Sequence, residues 1–102
     1  MADLQITDEV DELAVALVQA LARQDADKAI TLSELLFPMT QGRPGLQARV
    51  AAWAAQAHQL NGDLDSALTH IRDAISLAQA AGEMGAISPL RQLKASIVSG
   101  RA

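Results

Sequence analysis

Ser66, His70 and Asp73 are the side chains of this sequence that come nearest to a reacting set, at spacings i, i+4 and i+7. A serine nucleophile, a histidine to take its proton and an aspartate to orient the imidazole are the components of a hydrolase triad. This spacing stacks all three along one face of one helix. A helix face offers no free backbone amides to a developing oxyanion, and without such donors the set has no means of stabilising a transition state. The expectation is a wet helix surface and no catalytic residue. His58 and His70 are the two histidines and cysteine is absent. A zinc site needs three or four convergent ligands, so no metal site is expected. The carboxylate pairs Asp25/Asp27 and Asp63/Asp65 each open a predicted helix, where capping and the helix dipole account for them. Gly42-Arg43-Pro44-Gly45 lacks the strand and the lysine of a phosphate-binding loop. No cofactor is expected.

Binding is the chemistry the sequence favours. Trp53 stands at the edge of a predicted apolar helix face, near Arg49 and Leu60 on the helical wheel. Tryptophan and arginine dominate the energetically important contacts of protein interfaces. Leu13, Val18, Arg49, Trp53, Gln56 and Leu60 form the predicted contact set for a protein or peptide partner. The plainer reading is that Trp53 packs onto the first helix or the loop around Met39.

The bulk of the chain says what must position these residues. Half of its 102 residues are hydrophobic, many of them alanine, and Phe37 and Trp53 are the only aromatics. Alanine is the best helix former, and it fills a core only where helices approach closely. Composition therefore favours an all-α fold. The net charge is −4, with eight acids against two bases in residues 1–34 and four against six in the remainder. No basic block exists to neutralise phosphates, so no nucleic-acid partner is expected. The apolar run Leu13–Val18 is far short of a membrane span. Met1-Ala2-Asp3 lacks the positive start of a signal peptide. The expected location is cytoplasmic, with no membrane partner.

Five helices are predicted. The first runs from about Asp8 to Arg23, capped by Thr7 or Asp8, after a frayed lead-in. The second runs from about Ala26 to Phe37 with Asp25 as cap, and Leu32 and Leu35 widen its buried face. Phe37–Gly45 is the main loop, where Pro38 helps to stop the helix. The third helix runs from about Leu46 to Leu60, and Gly62 just past it takes a left-handed turn. Asp63 caps the fourth, in which Leu64, Ala67, Leu68, Ile71, Ala74, Ile75 and Ala78 keep helical spacing to about Ala80. The fifth starts near Glu83 or, by preference, at Ser88 with Pro89 in its first turn.

Asn61-Gly62-Asp63-Leu64-Asp65-Ser66-Ala67-Leu68 has a fainter copy in Gln24-Asp25-Ala26-Asp27-Lys28-Ala29-Ile30. Ala67 minus Ala29 gives an offset of 38. These residues resemble the tetratricopeptide repeat family over Val10–Phe37 and Ala48–Gln79. Ala29 and Ala67 match the small residue at which the family's paired helices cross. Ile71 and Ala74 match the next packing positions, and Ala54-Ala55 match the close-contact pair of a first helix. His58 stands where an aromatic is usual, and the 38-residue offset exceeds the family's about 34. The resemblance implies a single domain over 1–102: repeat one at about 8–37, repeat two at about 46–81 and a capping helix at about 88–99. Together these make a short superhelix of two antiparallel hairpins plus the cap. It also implies a non-catalytic interaction module whose groove, between helices one and three, holds a partner's helix or extended segment. A small acidic chaperone or adaptor that masks a secretion-system or assembly partner is the alternative. Apolar surface near Val18, Trp53, Leu60 or the last helix leads us to expect a homodimer.

Overall fold

Besides Gly42 (φ 82°), three left-handed turn residues punctuate the chain: Gln24 (φ 59°), Gly62 (φ 79°) and Gly82 (φ 72°). Each follows a helix and closes it in the same way. At the second turn the Gly62 amide donates to the Gln59 carbonyl and the Asp63 amide to that of His58. At the first, Gln24 donates to Leu21 and Asp25 to Ala20; at the third, Gly82 donates to Gln79 and Glu83 to Ala78. This paired closure satisfies carbonyls that the helix end would otherwise leave open. The next helix then begins at once. Asp25 accepts from the Lys28 amide at 3.3 Å, and Asp63 accepts from the Ser66 amide at 3.1 Å.

The computed structural model describes residues 2–101, with side chains placed for 9–100. The helices are α1 (Ala2–Ala22), α2 (Ala26–Leu36), α3 (Pro44–Leu60), α4 (Leu64–Ala80) and α5 (Met84–Arg101), with a 3-10 turn at Phe37–Thr40. No strand occurs among the described residues. Successive helices pack in chain order, so α1 and α5 lie at the two ends and α3 is central. The molecule measures 50 × 31 × 18 Å. Its thin dimension fits two layers of helix, since packed helix axes lie about 8–10 Å apart.

Ala29 and Ala67 are fully buried. They are equivalent across the 38-residue offset, and each lets its helix approach a neighbour closely. One core gathers Val10, Leu17, Ala20, Ala29, Leu36, Val50 and Ala57 from α1, α2 and α3. A second gathers Ala51, Ala55, Ala67, Leu68, Ile71, Ala74 and Ile97 from α3, α4 and α5. A third, smaller cluster joins Ala48, Ala78 and Ile87. Phe37 packs against the first two cores, and Leu77 and Leu90 against the second and third. Two hydroxyls are buried without cost to hydrogen bonding. Ser33 donates to the Ile30 carbonyl at 2.8 Å and Thr40 to that of Phe37 at 2.6 Å.

Several boundaries differ from those expected. α1 begins at Ala2 rather than near Asp8, so Thr7 and Asp8 stand inside the helix rather than at its start. α3 begins at Pro44, two residues before Leu46, because proline needs no donor in a first turn. The loop before it contains the 3-10 turn, with Pro38 in its first turn. Leu35 is exposed rather than part of a second buried face. α5 begins at Met84, beside the earlier of the two expected starts and not at the preferred Ser88, and runs through Pro89. The left-handed Gly82 ends α4 so sharply that the chain re-enters a helix before Ser88 can act as a cap.

Candidate functional site

α3 is covered on most of its circumference. Ala48, Val50, Ala51, Ala54, Ala55 and Ala57 are buried. What stays open is a strip at 49, 52, 53 and 56, the spacing of one helix face. Glu83, Ala86 and Leu90 face this strip from the start of α5, and Gly45 closes one end. Together they line a hollow of about 160 Å³. A β-carbon at Gly45 would meet Oε1 of Glu83, the free end of a flexible side chain that can swing aside.

Trp53 is packed on one side and open on the other. It is half-buried, packs against the core of α1, α2 and α3, and leaves part of its ring on the hollow. Arg49 and Gln56 are exposed beside it. Among the described residues, Arg49 and Glu83 form no ion pair. A guanidinium and a carboxylate on opposite walls, with an indole on the guanidinium's wall, can grip an amphipathic segment through its backbone and one apolar side chain.

Three of the six expected contact residues therefore come together: Arg49, Trp53 and Gln56. Their hollow lies between α3 and α5, not between α1 and α3. Leu13 lines a separate depression with Glu9, Glu12, Ala16 and Met39. Val18 and Leu60, both 45% exposed, stand outside either depression. Sequence reading missed Glu83, Ala86 and Leu90, which became a wall only because α5 starts early. No motif marks them.

Ser66, His70 and Asp73 form no hydrogen-bonded set. The Ser66 backbone amide serves the Asp63 cap, and the His70 ring stacks on His58, with centroids 4.9 Å apart and planes 10° from parallel. Nδ1 of His58 is buried without a hydrogen bond, 3.8 Å from an Asp63 oxygen. Burial lowers the pKa of His70, and the neighbouring His58 lowers it further, against the opposing pull of Asp73, Glu34 and Asp63. The Asp63 carboxyl is also held below its ordinary value, by the Ser66 hydrogen bonds first. The two histidines stand on α3 and α4, on either side of the Gly62 turn, and the sequence analysis did not bring them together. Among the described residues, no three histidine or carboxylate side chains converge as metal ligands. No helix of the described residues is long and apolar enough to cross a membrane.

No protein-family model matches the chain, and no curated protein or solved structure is detectably similar to it. The reading of its function rests on its own residues.

Proposed function

We propose that this chain is a non-catalytic protein–protein interaction module, a short tetratricopeptide-like array that holds a helix or extended segment of a partner. The observation that carries this reading is the hollow between α3 and α5, where Trp53 is anchored on one side and open on the other. An aromatic fixed by core packing loses little conformational freedom on binding, which is the property of an interface hot spot. The 38-residue equivalence of the two hairpins supports the repeat architecture. A partner segment with an apolar residue for the indole, an acid for Arg49 and a base for Glu83 fits the walls.

Peptides selected from a random displayed library on the immobilised chain provide the test. Binding is expected to shift Trp53 emission to the blue and protect it from acrylamide. Trp53→Ala is expected to weaken binding by at least about 2 kcal/mol, the hot-spot scale, whereas Leu60→Ala changes it little. Selected peptides that bind Trp53→Ala as tightly as the parent chain would overturn the proposal.

A second reading is that of a small chaperone or adaptor. Exposed Val15, Val18, Met84 and Val98 favour it, because apolar residues on the outer faces suit the masking of a partner's amphipathic helix. Raised solubility of an aggregation-prone amphipathic peptide on mixing with the chain, abolished by Val15→Asp with Val18→Asp, distinguishes this reading from the first.

A further inference from the structure

The two end helices carry opposite charge and uncovered outer faces. α1 holds five acids and no base: Asp3, Asp8, Glu9, Asp11 and Glu12. α5 holds three bases and no acid: Arg91, Lys94 and Arg101. The outermost line of α1 runs through Asp11, Val15 and Val18, all exposed, with Val15 at 56% and Val18 at 45%. The outermost line of α5 runs through Met84, Ser88 and Arg91, also exposed, with Met84 at 70%. Both lines border shallow depressions formed by one helix alone. The α5 line points away from Ala86 and Leu90, which face the Trp53 hollow.

The spacings on the two lines agree. Asp11 precedes Val18 by seven residues, and Met84 precedes Arg91 by seven, about 10 Å along either helix. Laid antiparallel, Asp11 meets Arg91, Val15 meets Ser88, and Val18 meets Met84. Laid parallel, Asp11 would bury Met84 against a charge and Val18 would cover Arg91. Parallel self-pairing of either helix would set acid on acid or base on base, and antiparallel self-pairing would cover Val18 with Asp11 or Met84 with Arg91, leaving each charge unpaired. The geometry points to a head-to-tail contact in which α1 of one copy packs antiparallel on α5 of the next. The occupant of each face is a second copy of this chain. Such a contact joins two different surfaces, so it leaves one of each free and propagates instead of closing as a two-fold dimer.

Sedimentation velocity on the full 102-residue chain, over a concentration series at low salt and at about 0.5 M NaCl, tests this. The expected result is a ladder of dimer, trimer and larger species that disperses towards monomer at high salt. The charge reversals Asp11→Lys/Glu12→Lys and Arg91→Glu are each expected to weaken association by about tenfold when studied alone. An equimolar mixture of the two regains the ladder, because reversed α1 then meets reversed α5. Val15→Asp breaks the apolar half of the contact independently, and circular dichroism verifies that all variants stay helical. Trp53→Ala leaves the ladder intact, which separates this contact from partner binding. A species that stops at dimer, a monomer at every concentration, or a ladder indifferent to charge reversal would each overturn the inference.

Discussion

Gln24 is the residue at which the first hairpin departs from the second. Its φ of 59° matches the 79° of Gly62, 38 positions later, but a side chain in that region is crowded against its own backbone. Gln24→Gly is therefore expected to stabilise the fold by about 1 kcal/mol, and Gly62→Ala to destabilise it by a similar amount. Chemical denaturation of the two variants checks both signs. His70 supplies the pH dependence. Burial and the stacked His58 make its ring bind a proton less readily in the folded chain than in the unfolded one. The folded state thus carries fewer protons below neutrality. This contribution is complete above the unfolded value of 6.5 and is lost as pH falls from there towards the lower folded value. Melting temperature should decline from about pH 7 to about pH 5.5, and His70→Gln should flatten that decline. An equal slope in the variant would place the titration elsewhere. The triad-like spacing of Ser66, His70 and Asp73 was legible. The ring stack needed the α3–α4 contact, which no spacing within one helix reveals.

Helices with a local cause were legible in the residues themselves. Asp25 and Asp63 cap, Gly62 and Gly82 turn, and the apolar series from Leu64 to Ala78 fills α4. Those decided by packing were not. Ser88-Pro89 has the form of a helix start, yet Ile87 is buried beside Ala48 and Ala78, and this contact draws the preceding residues into α5. Proline inside a helix removes a donor and crowds the carbonyl four residues back, here that of Gly85, at a cost of up to about 3 kcal/mol. Pro89→Ala is thus expected to raise stability and to slow amide exchange around Gly85. An unchanged or lowered stability would mean that a proline bend is required to seat Ile87. The crossing alanines make the opposite kind of prediction. Ala67 has no exposed surface, so Ala67→Leu should overpack the α4 contact and cost about 1–3 kcal/mol. The same change at exposed Ala95 should cost far less. The candidate site was half legible for the same reason: Arg49, Trp53 and Gln56 share a helix face, whereas Glu83, Ala86 and Leu90 reach them only through tertiary packing.

At the scale of the molecule, α3 decides how the chain unfolds. Val50 and Ala57 belong to the core shared with α1 and α2, while Ala51 and Ala55 belong to the core shared with α4 and α5. Phe37 touches both. Stacked hairpins can in principle melt one at a time, as nearest-neighbour repeats do. Here neither core can dissolve without exposing one side of the same helix, and α3 alone, at 17 residues, is marginal in water even with its six alanines. Ile97→Ala offers a direct test, because Ile97 is fully buried in the second core while Trp53, the only tryptophan, reports on the first. The lost side chain and the cavity left behind should cost about 2–5 kcal/mol. In a single cooperative unit, Trp53 fluorescence and helical circular dichroism shift to lower denaturant together and remain superimposed. If the hairpins were independent, the fluorescence midpoint would stay in place while the dichroism split into two steps. Superposition is the expected outcome, since the alanine-lined contacts of α3 are too small on either side to hold a hairpin alone.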